Sequence, residues 1–204
     1  MLQTDPAWLP ARRGKLTASR MADAMARLKN GNEAEARRKL RMELLAERLT
    51  GQQMPTYVSS AMQRGLDYEQ QAREELEEAL GLIAMPARLV EHPTIADFAA
   101  TPDGFIGDDA LLEIKVPLPA TFVSYVLDGE TPGDYIPQMT AQLACARRKK
   151  VYFAAYCPEA PKRSRLFVRE FEPVNGMIEK VEREAAQFLD ELRAQEIQLT
   201  QKAA

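Results

Sequence analysis

Apolar positions along the chain recur at helical spacing first, then at strand spacing. Leu16, Met21, Ala24, Met25 and Leu28 share one face of a predicted helix from Thr17 to about Leu28, with Thr17 or Ser19 near its start. Asn30-Gly31-Asn32 breaks it. Leu40, Leu44, Leu45 and Leu49 mark a second helix over 33–49, closed by Thr50-Gly51. Past a linker at Pro55, a long third helix is expected from Ser59 to Leu80, with Gly81 as its stop. Strand-like stretches follow at about 83–91, 95–101, 104–107 and 110–116. Pro117 and Pro119 end the last of them and admit a short helix to Leu127. Asp128-Gly129 and Pro132-Gly133 read as turns, and 135–146 as a helix. Val151-Tyr152-Phe153-Ala154-Ala155-Tyr156 has the unbroken apolar character of a central strand, with 165–171 as its neighbour. A final amphipathic helix runs from Val174 to about Leu199.

This order predicts an α/β (α+β) fold, a small mixed central sheet flanked by helices. At 204 residues the chain is expected to be a single domain. It divides into a helical part at about 1–81, a sheet-bearing core at about 82–172 and a C-terminal helix at about 173–200. Hydrophobic residues make up 46% and charged residues 28%, which suits a globular protein with a real core. Nothing approaches the roughly 18 uninterrupted apolar residues of a membrane span. The opening MLQTDPAWLPARRG lacks an apolar leader, and Cys145 and Cys157 are too few for a disulfide framework. A cytoplasmic protein is expected.

The scarcity of certain side chains narrows the chemistry further. His92 is the only histidine, so a closed zinc site would need it, both cysteines and a carboxylate, without any of the usual ligand spacings. Its flanks carry no nucleophile motif, and a structural or surface role is expected. Carboxylates and lysine must therefore carry any catalysis. The net charge of −3 hides segregation: residues 11–50 hold eleven Lys/Arg against five Asp/Glu, 147–169 hold eight against one, and 67–113 hold two against twelve. Basic flanks around an acidic centre suit a protein that grips a polyanion and holds cations where it acts. Charged wet faces of helices would give the same pattern, so charge alone does not decide.

The informative segment is Thr101-Pro102-Asp103-Gly104-Phe105 followed by Leu111-Leu112-Glu113-Ile114-Lys115. Residues two apart on a strand point the same way, so Glu113 and Lys115 share a face, and a hairpin can bring Asp103 beside them. Two hard oxygen ligands and a neighbouring lysine suit Mg2+-assisted hydrolysis of a phosphodiester. Lys115 could have its pKa lowered by a partly desolvated site. Charged side chains inside an apolar strand are costly unless paired or metal-bound. A structural ion pair with an ordinary turn remains the competing reading. Glu69, on the long helix, could be a third carboxylate, whereas Glu74, Glu75, Glu77 and Glu78 read as a solvated face. Gln138 and Gln142, four apart on one side of the later helix, could bond the attacking water or a phosphate, or be surface polar groups.

In these residues the chain resembles the phage lambda-type alkaline exonucleases, viral recombination nucleases of the PD-(D/E)xK superfamily. The resemblance runs in order through Arg12-x-Gly14-x-x-Thr17-Ala18-Ser19, Gly65-x-x-Tyr68-Glu69, Thr101-Pro102-Asp103-Gly104, Leu112-Glu113-Ile114-Lys115, the Gln138 helix and Tyr152-Phe153-Ala154-x-Tyr156-x-Pro158. It implies that Asp103 and Glu113 bind two Mg2+ ions (Mn2+ substituting), with the carbonyl of Ile114 as a further ligand and Glu69 close by. Lys115 would activate the water, assisted by Gln138. Arg12, Ser19 and Thr101 would hold the 5′-phosphate of a DNA end, as a guanidinium and hydroxyls suit a dianion. Met62 falls where the family places an apolar side chain near the duplex fork, although a buried core methionine is the expected reading of the position.

The implied activity is processive 5′→3′ digestion of one strand of linear double-stranded DNA to mononucleotides, leaving 3′ overhangs for strand annealing. The implied assembly is a ring-shaped homotrimer in a bacterial host, working beside a single-strand annealing protein. The chain departs from the pattern in two places: Thr101 stands where serine is familiar, and Pro93 where a further aspartate is offered. Glu91 and Asp97 are imperfect substitutes there, and Arg27 and Lys29 are candidate additions to the phosphate pocket. A structure- or sequence-specific endonuclease on the same core, or a non-catalytic DNA-binding subunit, are the alternative readings. Iron–sulphur relatives need four cysteines and are excluded.

Overall fold

The computed structural model describes residues 5–54, 59–86 and 88–203. Its centre is a five-stranded mixed sheet in the order β2-β5-β6-β7-β8, formed by β2 (Ala84–Pro86), β5 (Gly104–Ile106), β6 (Ala110–Lys115), β7 (Lys150–Tyr156) and β8 (Leu166–Phe171). β6 and β7 run parallel and the other neighbours antiparallel. The two parallel strands are covered on both faces, which is why their sequences are nearly unbroken apolar runs.

Each face of this sheet has its own core. Ala72 and Leu76 of α4 (Ser60–Leu80) pack with Ile106, Leu112, Ile114 and Tyr156 on one side. Phe122 of α5 (Pro119–Asp128) and Met139 and Leu143 of α6 (Ile136–Ala146) meet Phe105, Leu111, Val151 and Phe153 on the other. Alternation therefore assigns Leu111, Glu113 and Lys115 to the α6 side. α4 starts where expected because the Ser59 hydroxyl accepts from the amide of Met62 at 3.2 Å. It stops at Gly81, whose φ of +63° suits glycine.

A third core joins α2 (Met21–Met25), α3 (Glu35–Thr50) and α7 (Met177–Ala203) to a smaller sheet of order β1-β4-β3. Its strands are β1 (Leu16–Thr17), β3 (Val90–Glu91) and β4 (Phe98–Ala100). This layer departs most from the sequence reading. The helix expected over 17–28 is a strand, a 3-10 turn at Ala18–Arg20 and the short α2. Leu16 instead donates its amide to the Asp97 carbonyl at 2.9 Å and pairs in parallel with Phe98. Leu16, Met21 and Ala24 are still fully buried, whereas Leu28 is exposed. The stretch 83–91 divides between two sheets, and 95–101 shortens to β4 because Asp97 sits at a φ of +64°. The last helix begins at Met177, after Gly176 at a φ of +85°, and extends to Ala203. Pro55 lies outside the described residues.

Both cysteines are buried and unpaired. His92 is structural, stacked on Phe98, accepting at Nδ1 from the Ile95 amide and meeting Glu182 through Nε2. No helix among the described residues is long and apolar enough to cross a membrane.

Candidate active site

The hairpin from β5 to β6 does what the spacing predicts. Gly104 pairs with Leu112, so Asp103, just before β5, reaches the far end of β6. Its amide donates to the Leu112 carbonyl at 2.9 Å, and its Oδ2 accepts from the Ile114 amide at 2.6 Å. Glu113 is 1% exposed and nearly saturated with donors. Gln138 donates to its Oε1 and Gln142 to its Oε2, each at 2.6 Å, while Lys115 Nζ lies 2.5 Å from Oε1. The two glutamines thus aim their amide nitrogens at this carboxylate. Tyr135, stacked on Phe153, places its ring 5.0 Å from Lys115 Nζ.

Charge here is unevenly shared. Burial pushes the Asp103 carboxyl well above the usual carboxylate range, and Glu113 and then Glu69 add to this, against Lys115 and the Ile114 amide. For Lys115 burial works downward, yet the fields of Glu113 and Asp103 and the hydrogen bond to Glu113 outweigh it. Its pKa is raised, which corrects the expectation of a lowered value: the carboxylates, not desolvation, decide.

Among the described residues no three His, Cys, Asp or Glu side chains stand close enough to hold an ion by themselves. The donor set nonetheless fits a hard cation of the Mg2+ type. Mg2+ typically takes only one or two carboxylates and fills its remaining positions with water and substrate phosphate. Asp103 and Glu113 supply that pair, and the burial and neighbouring negative charge that raise the Asp103 pKa are what a bound cation would offset. Glu69 on α4 is near enough to act on Asp103, but its carboxylate lies 3.4 Å from Arg73 Nη2.

A second cluster lies a short way along the chain. Arg12 ends α1 (Trp8–Arg12) with its guanidinium 4.2 Å above the Trp8 ring, and Trp8 Nε1 donates to the Thr101 hydroxyl at 3.3 Å. Among the described residues no carboxylate forms an ion pair with Arg12; burial draws its pKa down, against the field of Glu47. Gly14, at a φ of +69°, donates to Glu47 and accepts from Arg48, and a Cβ there would stand 2.8 Å from Arg48 Cγ. That accounts for glycine at this place in the Arg12–Ser19 block. Ser19 is exposed, its hydroxyl 3.3 Å from that of Thr17. β1 and β4 run parallel, so Ser19 and Thr101 leave the small sheet at the same end. Thr101 stands two residues before Asp103, which puts this cluster about 7 Å of extended chain from the acids.

Several expectations need correction. Met62 is 49% exposed on the first turn of α4, with Leu66 exposed one turn on, so it is not a core methionine. Arg27 pairs with Glu184 on α7, Glu91 with Lys15 and Asp97 with Arg48, so each of these three already has a counter-ion. Glu75 is no solvated residue: it binds Arg165 and ties α4 to the sheet, and Glu77 accepts from the Ala84 amide. The sequence reading also missed Trp8, Tyr135 and Arg73. Arg73 had a signal, being the only basic residue among six acids in 67–78.

Comparison with known proteins follows the same direction. Residues 7–149 match the YqaJ-like viral recombinase domain. The alkaline exonuclease LHK-Exo from Laribacter hongkongensis is 38% identical over 98% of each chain, with a TM-score of 0.90. Its complex with dAMP gives the same values. A phage-related exonuclease from Haemophilus somnus 129PT shares the fold at 13% identity, with a TM-score of 0.69 over 93% of this chain and 96% of its own. No curated protein matches.

Proposed function

The chain belongs to the YqaJ-like viral recombinase family, and from that membership we propose that it is a Mg2+-dependent 5′→3′ exonuclease acting on linear double-stranded DNA. A nuclease role in recombination follows from the family and from the 38% identical alkaline exonuclease. The observation that carries the finer reading is the meeting of Asp103, Glu113 and Lys115 at one end of β6. The dAMP bound to the Laribacter enzyme is a mononucleotide, the product class such an activity releases.

The chain's own residues divide the work. Gln138 and Gln142 hold both oxygens of Glu113, so its plane is set before substrate arrives. The Ile114 amide does the same for Asp103, and the carbonyl of Ile114 is the further oxygen implied by the family pattern. Asp103, Glu113 and the Ile114 carbonyl, with Glu69 near, would hold Mg2+, one or two ions, and the chemistry such a metal supplies is a more acidic water and neutralised charge on a phosphate. Lys115, whose proton Glu113 and Asp103 hold firmly, is a donor that can neutralise a phosphate oxygen. It turns into a base for the attacking water only when its carboxylate partners are drawn elsewhere. Arg12 with Thr101 and Ser19 would anchor the terminal 5′-phosphate, and Met62 would meet the duplex fork. A homotrimeric ring would keep the duplex enclosed during digestion, and a single-strand annealing protein would take up the 3′ overhang.

Two substrates test this. Linear duplex carrying 5′-phosphates is expected to be digested, and covalently closed circular duplex to remain intact. Removing the 5′-phosphate should slow initiation about tenfold or more, the scale of a lost charge-assisted contact of ~1.5–3 kcal/mol. Arg12→Ala should erase that difference. Cutting of the closed circle would favour an endonuclease, and equal rates on both kinds of end would remove the phosphate pocket.

A further inference from the structure

We propose that Arg73 is a positioning residue for the metal-binding carboxylates, an assignment that rests on the nuclease reading above. Arg73 lies on the α4 side of the sheet, opposite the glutamines that hold Glu113. Its Nη2 donates to the Asp103 carbonyl at 2.5 Å and stands 3.4 Å from Glu69 Oε1. One nitrogen thus touches both segments that bring acids from outside β6. Asp103 is tied to β6 by its amide and its carboxylate; Arg73 supplies the tie from the other layer, through the peptide that leads into Gly104.

Gly104 is the second observation. Its φ lies outside the left-handed region, so the backbone does not require glycine. Space does: a Cβ would stand 2.9 Å from Arg73 Nη1, 3.2 Å from Ala84 Cβ and 3.3 Å from the Met85 carbonyl oxygen. The glycine of the Pro102-Asp103-Gly104 turn is therefore a slot for a guanidinium. Arg73 Nη1 is buried without a hydrogen-bond partner among the described residues. The guanidinium is held there at a desolvation cost, which a purely decorative arginine would avoid by turning outward. A lysine could reach the carbonyl but has no planar guanidinium to fill the space beside Gly104.

Mn2+ binding to the full-length protein, followed by electron paramagnetic resonance without DNA, tests the assignment alongside digestion rates. Arg73→Ala and Gly104→Ala are expected to weaken Mn2+ binding about 10–100-fold. The KM for linear duplex should stay unchanged while kcat falls, and excess Mn2+ should restore part of kcat. Arg73→Lys should lie between. Arg64→Ala, which removes an equal charge from the same helix, should bind Mn2+ as the wild type does; an equal loss there would overturn the assignment. Binding within about twofold of wild type in Arg73→Ala, or in Gly104→Ala should the first not fold, would also overturn it. A wild-type protein that neither binds Mn2+ nor cuts DNA would instead remove the nuclease reading itself.

Discussion

Lys115→Ala and Glu113→Gln are each expected to cut nucleotide release from linear duplex by about 10²–10⁴-fold, the range for removing a positioned proton-transfer group. The loss at Glu113 should be at least as large, because its carboxylate is also one of the proposed metal ligands. Both proteins should remain folded. Lys115 is partly exposed, and its removal leaves Glu113 with both glutamine amides. Glu113→Gln keeps the volume but sets an amide donor against Gln138 or Gln142 and leaves the Lys115 ammonium unpaired. That costs about 1–3 kcal/mol, against a total stability of roughly 5–15 kcal/mol. Single-turnover digestion with excess protein, beside circular dichroism and thermal unfolding, separates the two effects. Near-wild-type digestion by either variant would mean that the chemistry lies elsewhere.

This part of the molecule is legible in sequence because the physics involved is local. An apolar run interrupted only by Glu113 and Lys115 is anomalous for a buried strand, and alternation alone puts the pair on one face. Asp103 follows from a short hairpin, and α4 from Ser59 and Gly81 at its ends. What stays hidden depends on contacts between distant segments. The two-residue strands β1 and β3 exist only because β4 lies between them. The burial of Leu16, Met21 and Ala24 is met equally by one helix or by a strand, a turn and a short helix, so spacing could not choose. Spacing puts Gln138 and Gln142 on one side of α6; their aim at Glu113 depends on how α6 is rotated against the sheet. Trp8 and Arg73 matter through Thr101 and the Asp103 carbonyl, 93 and 30 residues away, where no periodicity reaches.

Asp103→Asn should abolish digestion and, in the presence of a chelator at neutral pH, make the protein more stable than the wild type. The Asp103 pKa in the folded protein is raised above its value in the unfolded chain, near 3.9. Between those two values the folded state binds more protons than the unfolded state, so stability falls as pH rises through that interval. Above it, the whole penalty of a buried carboxylate facing Glu113 and Glu69 is present. Asparagine keeps an oxygen for the Ile114 amide but cannot ionise, so the variant should lack this pH dependence. Its unfolding temperature should exceed that of the wild type by about 2–4 °C for each kcal/mol relieved. Added Mg2+ should reverse the order, since a ligand that binds only the folded state stabilises the protein able to hold it. Thermal unfolding of both proteins from pH 4 to pH 8, with chelator and then with Mg2+, decides the matter. If Asp103→Asn melts below the wild type throughout the chelator series, Asp103 is a satisfied structural carboxylate. The acids would then not repel one another, and nothing in their electrostatics would call for a cation.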